Sequence, residues 1–177
     1  STLSRVFDDP SPANLASFGT SARISGDAST IAIGSPGDAQ VHIFINNVTP
    51  NPSPTPMSGY AAQNSSWGLE KTYQGVSGNF FGKGVSISDD GKILVIGNSG
   101  INVSGNMGAG QAEIYLKTAG VWGSTAAQTL SSSDNAGTAV SINANYGGYN
   151  DVSSDGSVIV AGKDRKSTRL NSHEWIS

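Results

Sequence analysis

Hydrophobic and polar positions change places over short distances along this chain, and residues 84–130 show the pattern at its clearest. GVSIS (84–88) alternates apolar and small polar residues, as a half-buried strand does. DDGK (89–92) follows as a hairpin signal, because Gly91 adopts a positive φ without the clash a Cβ would bring. ILVIG (93–97) is a continuous apolar run, the mark of an inner strand buried on both faces. QAEIYLKT (111–118) alternates again, Ala119-Gly120 makes a tight turn, and VWGSTAAQTL (121–130) reads as an outer strand whose Trp122 covers the sheet. Together these segments predict one four-stranded antiparallel unit.

The unit recurs. A first copy, FGTSARISGDASTIAIGSPGDAQVHIF, starts at Phe18, and the second starts at Phe81. A third is read from Ala136 as AGTAVSINA, resuming as SSDGSVIVAG after a ten-residue insertion, ANYGGYNDVS. The spacings are 81 − 18 = 63 and 136 − 81 = 55 residues, and a period near 60 with four strands per unit predicts an array of small sheets. The repeats fall at roughly 1–74, 75–130 and 131–162, with a Pro-rich insert at 47–66. Trp67, opening WGLEKTYQ, holds in the first unit the place of Trp122 in the second. TLSRVFDD (2–9) reads as the outer strand of a unit whose earlier strands are absent. An unrelated all-β sandwich is the competing architecture.

Phe18-Gly19, Phe81-Gly82, the Asp-Gly turn, IAIGSPGD and GQAEIY followed by Trp122 resemble the FG-GAP repeat of integrin-α-type β-propellers. The resemblance covers roughly residues 15–162 and is weakest in the third copy, where Ala136-Gly137 stands for Phe-Gly. It implies an all-β fold of propeller blades. Propellers close with about four to eight blades, so under three copies make an incomplete propeller, leaving apolar faces and strand edges to be covered by more chain or by other copies.

Composition narrows the function classes. Charged residues are only 13% and hydrophobic residues 36%, a balance that suits many short strands better than global disorder. A net charge of −3 gives no basic footprint for nucleic acid, and no apolar run of 18 or more residues spans a bilayer. No signal-like apolar segment or initiator Met begins the chain, which is expected to be processed or a fragment. With no Cys, disulfides, thiolate metal sites and a Cys nucleophile are excluded. The last stretch, KDRKSTRLNSHEWIS (163–177), breaks the composition, with four of the ten basic residues. It resembles adaptor or vector read-through and is set apart as a non-native or disordered tail.

Candidate chemistry is sparse. Asp151, Ser153 and Asp155 stand at alternate positions before Gly156, a spacing of oxygen ligands that suits a weak Ca²⁺ site, with an ordinary Asp-Gly turn as the alternative. The later loop positions, Ile159 and Gly162, lack the usual carboxylates. His42, in the alternating run QVHIFIN, reads as a sheet-face residue rather than a base, and Asp89-Asp90 as a turn. The Gly-rich SGNMGAGQ (104–111) precedes a strand and lacks the phosphate-binding spacing, so it is an interstrand loop. Sequons begin at Asn47, Asn64 and Asn102, a number that chance alone supplies in a chain so rich in Asn, Ser and Thr. In TPNPSPTPMSG (49–59), Thr49, Pro50, Pro52, Ser53, Pro54, Thr55 and Pro56 form an extended segment. It resembles the O-glycosylated hydroxyproline stretches of matrix proteins, or serves as a spacer.

The FG-GAP resemblance implies an extracellular or cell-surface, non-enzymatic adhesion or recognition module without a required cofactor, binding through loops at one rim, with 98–110 and 143–154 the longest. The alternative is a structural subunit of a glycosylated fibre or coat, assembled by blade-to-blade contacts between copies. The expected partners are other copies or further blades, and glycans or cell-surface proteins.

Overall fold

The computed structural model describes residues 6–46, 67–131 and 145–162, together with the backbone of Trp175–Ile176. Three antiparallel sheets follow one another along the chain. The first joins β1 (Ser21–Ile24), β2 (Thr30–Ser35), β3 (Gln40–Asn46) and β4 (Trp67–Gln74) in simple up-and-down order. The second joins β5 (Phe81–Ile87), β6 (Ile93–Asn98) and β7 (Gln111–Thr118) to an outer strand in two pieces, β8 (Val121–Trp122) and β9 (Gln128–Ser131). The outer strand expected over 121–130 is thus interrupted, leaving the β7 ladder between Trp122 and Gln128. The third joins β10 (Tyr149–Val152), β11 (Ile159–Gly162) and β12 (Trp175–Ile176), the last lying within the segment set apart as a tail.

These sheets are the blades of a β-propeller. Each has a face toward the next blade and a face toward the preceding one, because successive side chains of a strand alternate sides. Ala32, Val41, Ile43 and Tyr73 of the first blade pack on Val85, Ile87, Leu94, Ile96 and Tyr115 of the second. Val95, Ala112, Ile114 and Leu130, on the second blade's other face, pack on Ala161, Val152 and Ile159 of the third. The run ILVIG behaves as an inner strand should: Leu94, Val95 and Ile96 are all fully buried, on alternate faces.

Ala136, read as the start of the third copy, lies outside the described residues. Tyr146-Gly147 takes the Phe-Gly place, at 146 − 81 = 65 residues from Phe81. Gly19, Gly82 and Gly147 share a positive φ of 86°, 85° and 79°, respectively. What reads as a ten-residue insertion, ANYGGYNDVS, contains β10, which pairs Val152 with Ile159 and Asn150 with Ala161. AGTAVSINA (136–144) lies outside the described residues; the strand paired with β11 is β10.

Candidate functional site

Each blade has two rims. At one, a turn joins the first and second strands, and it is built the same way three times from Ser-x-Asp-Gly/Ala. Ser25, Ser88 and Ser153 donate their hydroxyls to Asp27, Asp90 and Asp155 Oδ1 at 2.6, 2.7 and 2.7 Å. The same carboxylates accept the backbone N–H of Ser29, Lys92 and Ser157 at 2.9, 3.1 and 3.0 Å. Each serine oxygen in turn accepts the N–H that opens the second strand, from Thr30, Ile93 and Val158. Ala28, Gly91 and Gly156 hold the left-handed position at φ 54°, 65° and 74°. Gly is the favoured residue there, and Ala28 adopts the conformation without it.

These bonds stabilise the ionised carboxyls. All three aspartates are held below the ordinary carboxylate range by their serine and backbone donors; Asp155, which is exposed, falls to about 2. The geometry bears directly on the cation candidate. Asp155 Oδ1 already accepts from Ser153, from Ser157 N–H and from Ser157 Oγ at 2.8 Å, and Asp151 Oδ1 accepts the N–H of Val152 at 3.0 Å. Asp155 and Ser153 are the third instance of a turn that the first two blades build without any counterpart of Asp151: Arg23 and Ser86 stand there. Among the described residues no group of three or more His, Asp or Glu is disposed to hold a metal ion.

Between the first two turns lies a shallow depression lined by Ser29, Thr30, Asp90, Lys92, Lys117 and Ala119. Both of its lysines are engaged, Lys92 with Asp90 at 3.1 Å and Lys117 with Glu70 at 2.9 Å. Asn46 and Trp67, which pair with each other at this rim, flank the Pro-rich insert. The insert, with Asn47, Asn64 and Thr49 to Pro56, lies outside the described residues.

His42 is fully buried on β3. Its Nδ1 lies 3.0 Å from Thr72 Oγ1, its Nε2 is 3.7 Å from Asp9 Oδ1, and the Phe18 ring centroid is 5.6 Å away. Burial pushes the imidazole below its ordinary value against the pull of Asp9 and Asp38. The line Asp9–His42–Thr72 has the residue types of a nucleophilic relay. No solvent-facing edge of the imidazole is left to meet a substrate, so the geometry is that of a packed polar contact.

The opposite rim carries the linkers that lead into each Phe/Tyr-Gly corner and the turns that follow β2 and β6. Leu15, Val76, Phe80 and Met107, all large, apolar and exposed, sit on these segments. The longest of them, 99–110, is ordered by its own backbone. Gly110 N–H reaches Ile101 O at 2.9 Å, and a small hairpin pairs Val103 with Asn106 around Ser104-Gly105, both at positive φ. Gly100 N–H bonds Asn79 O at 2.7 Å, and Tyr146 N–H bonds Ala109 O at 3.0 Å, so the loop is tied to the second and third corners. Asn102 is exposed, with its Oδ1 accepting the Gly108 N–H at 2.9 Å. Of the two loops expected to lead a binding rim, 98–110 is one; in 143–154 the structure places β10. The apolar residues of this rim escaped the sequence reading because they fall between strands, where no periodicity marks them.

No protein-family model and no curated protein matches the chain. Among solved structures, it is similar to the crystal structure of the Myceliophteria thermophila Cps50 (Swd1) β-propeller domain, at 14% identity and a TM-score of 0.47. The match covers 80% of this chain and 34% of that one, so the chain spans about a third of the neighbour's length.

Proposed function

We propose that this propeller module is a non-enzymatic recognition or adhesion unit of the extracellular space or cell surface, binding through the rim that carries the Phe/Tyr-Gly corners. The observation that carries the reading is the chemistry of the two rims. At the turn rim Asp27, Asp90 and Asp155 are spent on their own turns and the lysines of the depression on ion pairs. The other rim presents Leu15, Val76, Phe80 and Met107 to solvent on segments cross-linked by backbone hydrogen bonds. Ordered loops displaying apolar side chains on a rigid scaffold are the usual material of a protein-binding surface. The FG-GAP resemblance of the corners supports an adhesive role and the external location. The Pro-rich segment from Thr49 to Pro56 supports O-glycosylation, and the exposed position of the Asn102 sequon, rather than the number of sequons, supports N-glycosylation.

Adhesion of cells to the immobilised chain tests the reading. Phe80→Ser with Met107→Ser should lower attachment about tenfold while leaving the melting temperature in place. Attachment that survives both changes, or none above an albumin control, refutes it. Enzymatic deglycosylation of natural material checks the location separately through a fall in mass. A second reading, a structural subunit built by contacts between copies, is favoured by the exposure of Ile24 and Tyr149 on the outward faces of the first and third blades.

A further inference from the structure

The two observed joints between blades are built to one plan. At the first, Gly34 of β2 lies against Gly82 of the next blade, where a side chain on Gly34 would run into the Gly82 carbonyl; Ser21 Oγ donates to that same carbonyl at 2.8 Å. At the second, Gly97 lies against Gly147 in the same way, with Gly84 close to Gly148 O. Leading into each joint is an aromatic–glycine corner whose glycine is left-handed. A blade therefore offers a glycine on its second strand to the corner glycine of its successor.

Half of this joint stands at each end of the described array. Gly19 holds the corner conformation at φ 86°, yet a side chain built there would meet nothing within 4 Å. Among the described residues, a side chain on Gly162, in the place of Gly34 and Gly97, would meet only Tyr149 of its own sheet. Around these glycines the apolar positions are set out as in the internal joints. Ala22 and Ile24 correspond to Val85 and Ile87, which are 2% and 8% exposed inside the first joint, whereas Ile24 is 54% exposed. On the other face Tyr149, in the place of Ser21 and Gly84, is 77% exposed, beside a half-buried Val160.

The outer part of the first blade is finished as if a preceding blade were present. Phe7 packs edge-on against Phe44 and Trp67, with centroids 4.9 and 5.9 Å apart. Tyr73, at the corresponding place on the outer strand of the first blade, packs on Tyr115 at 4.2 Å, and Trp122 is buried in the same cluster. The N-terminal segment thus occupies the site of a preceding blade's outer strand, while the site of that blade's inner strands stays open.

We infer that the third blade of one copy docks on the first blade of a second copy, Gly162 against Gly19 and Tyr149 beside Ile24, continuing the internal joint between chains. The contact is head-to-tail, so it generates rings where the rotation closes and filaments where it does not. It rests on the blade geometry alone and is independent of whether the corner rim binds cells.

Sedimentation velocity and electron microscopy of the 177-residue chain test it. Concentration-dependent oligomers are expected. Ile24→Asp and Tyr149→Asp should each abolish them without altering the circular dichroism spectrum, since both residues are exposed. Mixed one to one, the two variants should form a dimer and nothing larger, because each retains the face the other has lost. A wild-type chain that stays monomeric overturns the inference and assigns the two faces to some other blade or partner. Oligomers that survive either variant, or variants that fail to pair when mixed, overturn it as well.

Discussion

Ile24 and Ile87 hold the same position in successive blades, three residues before the turn aspartates Asp27 and Asp90, yet one is 54% exposed and the other 8%. The residues next to the turns match in pairing and turn chemistry: Ile24 pairs with Ile31 as Ile87 pairs with Leu94, although β1 has four residues and β5 seven. The difference is the neighbour: Ile87 has the first blade against it, whereas among the described residues the N-terminal segment packs on Phe44 and Trp67 and leaves Ile24 exposed. A blade's local structure is thus specified within its own residues, while the use of its apolar face is specified by what packs on it. This is the expected behaviour of a repeat array, whose stability is a sum of intrinsic and nearest-neighbour terms. The polar partner of β3 tells the same story. Glu113, in the place of His42, accepts from Asn98 and Gln111 at 2.9 Å each and from Tyr115 OH at 2.7 Å, a set completed within its own blade. His42 instead meets Asp9, outside the first sheet.

The comparison can be broken most severely at the second strand. Leu94→Asp puts a charge where the side chain is fully buried between blades, and the chain should fail to fold; a soluble product with native circular dichroism would overturn the placement of β6. Gly97→Val forces a side chain into the Gly147 carbonyl and should destabilise by about 3 kcal/mol or more. The matching Gly162→Val should cost under about 0.5 kcal/mol in the monomer, because nothing from another blade opposes it. Chemical denaturation of the pair separates a joint-specific effect from a mere dislike of Val at that strand position. Ile87→Ser should cost about 2–4 kcal/mol and Ile24→Ser less than about 0.5 kcal/mol; equal losses would mean that the first face is covered in solution.

The smallest effect concerns the turns. Asp27, Asp90 and Asp155 have their carboxyls lowered in the folded chain, so the unfolded chain takes up protons first as the solution is acidified. Their contribution is present above the unfolded carboxyl value near 4 and is lost as pH falls from there through the folded values. Asp90→Ala should remove about 1 kcal/mol at pH 7 and flatten the acid limb of a melting-temperature profile between pH 5 and 2 by its share. An acid limb unchanged in the variant would show that other carboxyls cause it.

Much of this was legible in the residues. The strands of the second blade, the continuous burial of ILVIG, the Gly91 turn and the cover by Trp122 follow from periodicity and turn chemistry that act within a few residues. The Ser-x-Asp pairing of the turns is legible as well, since Ser25, Ser88 and Ser153 stand two residues before their aspartates. Ala136 and Tyr146 both precede a glycine in the sequence, and the pairing of β10 with β11 is what puts Tyr146-Gly147 at a corner. The break in the outer strand between Trp122 and Gln128 likewise had no local mark.

The sequence by itself determined strand identity, turn geometry and the order of strands within a blade, because each depends on side-chain alternation and on backbone conformations decided among near neighbours. Tertiary structure alone decided which glycines stand at the joints, where His42 finds its partners, and which apolar faces remain open. Those outcomes depend on contacts between residues some sixty positions apart, as when Ser21 reaches Gly82, and no local pattern encodes which of several similar surfaces will meet.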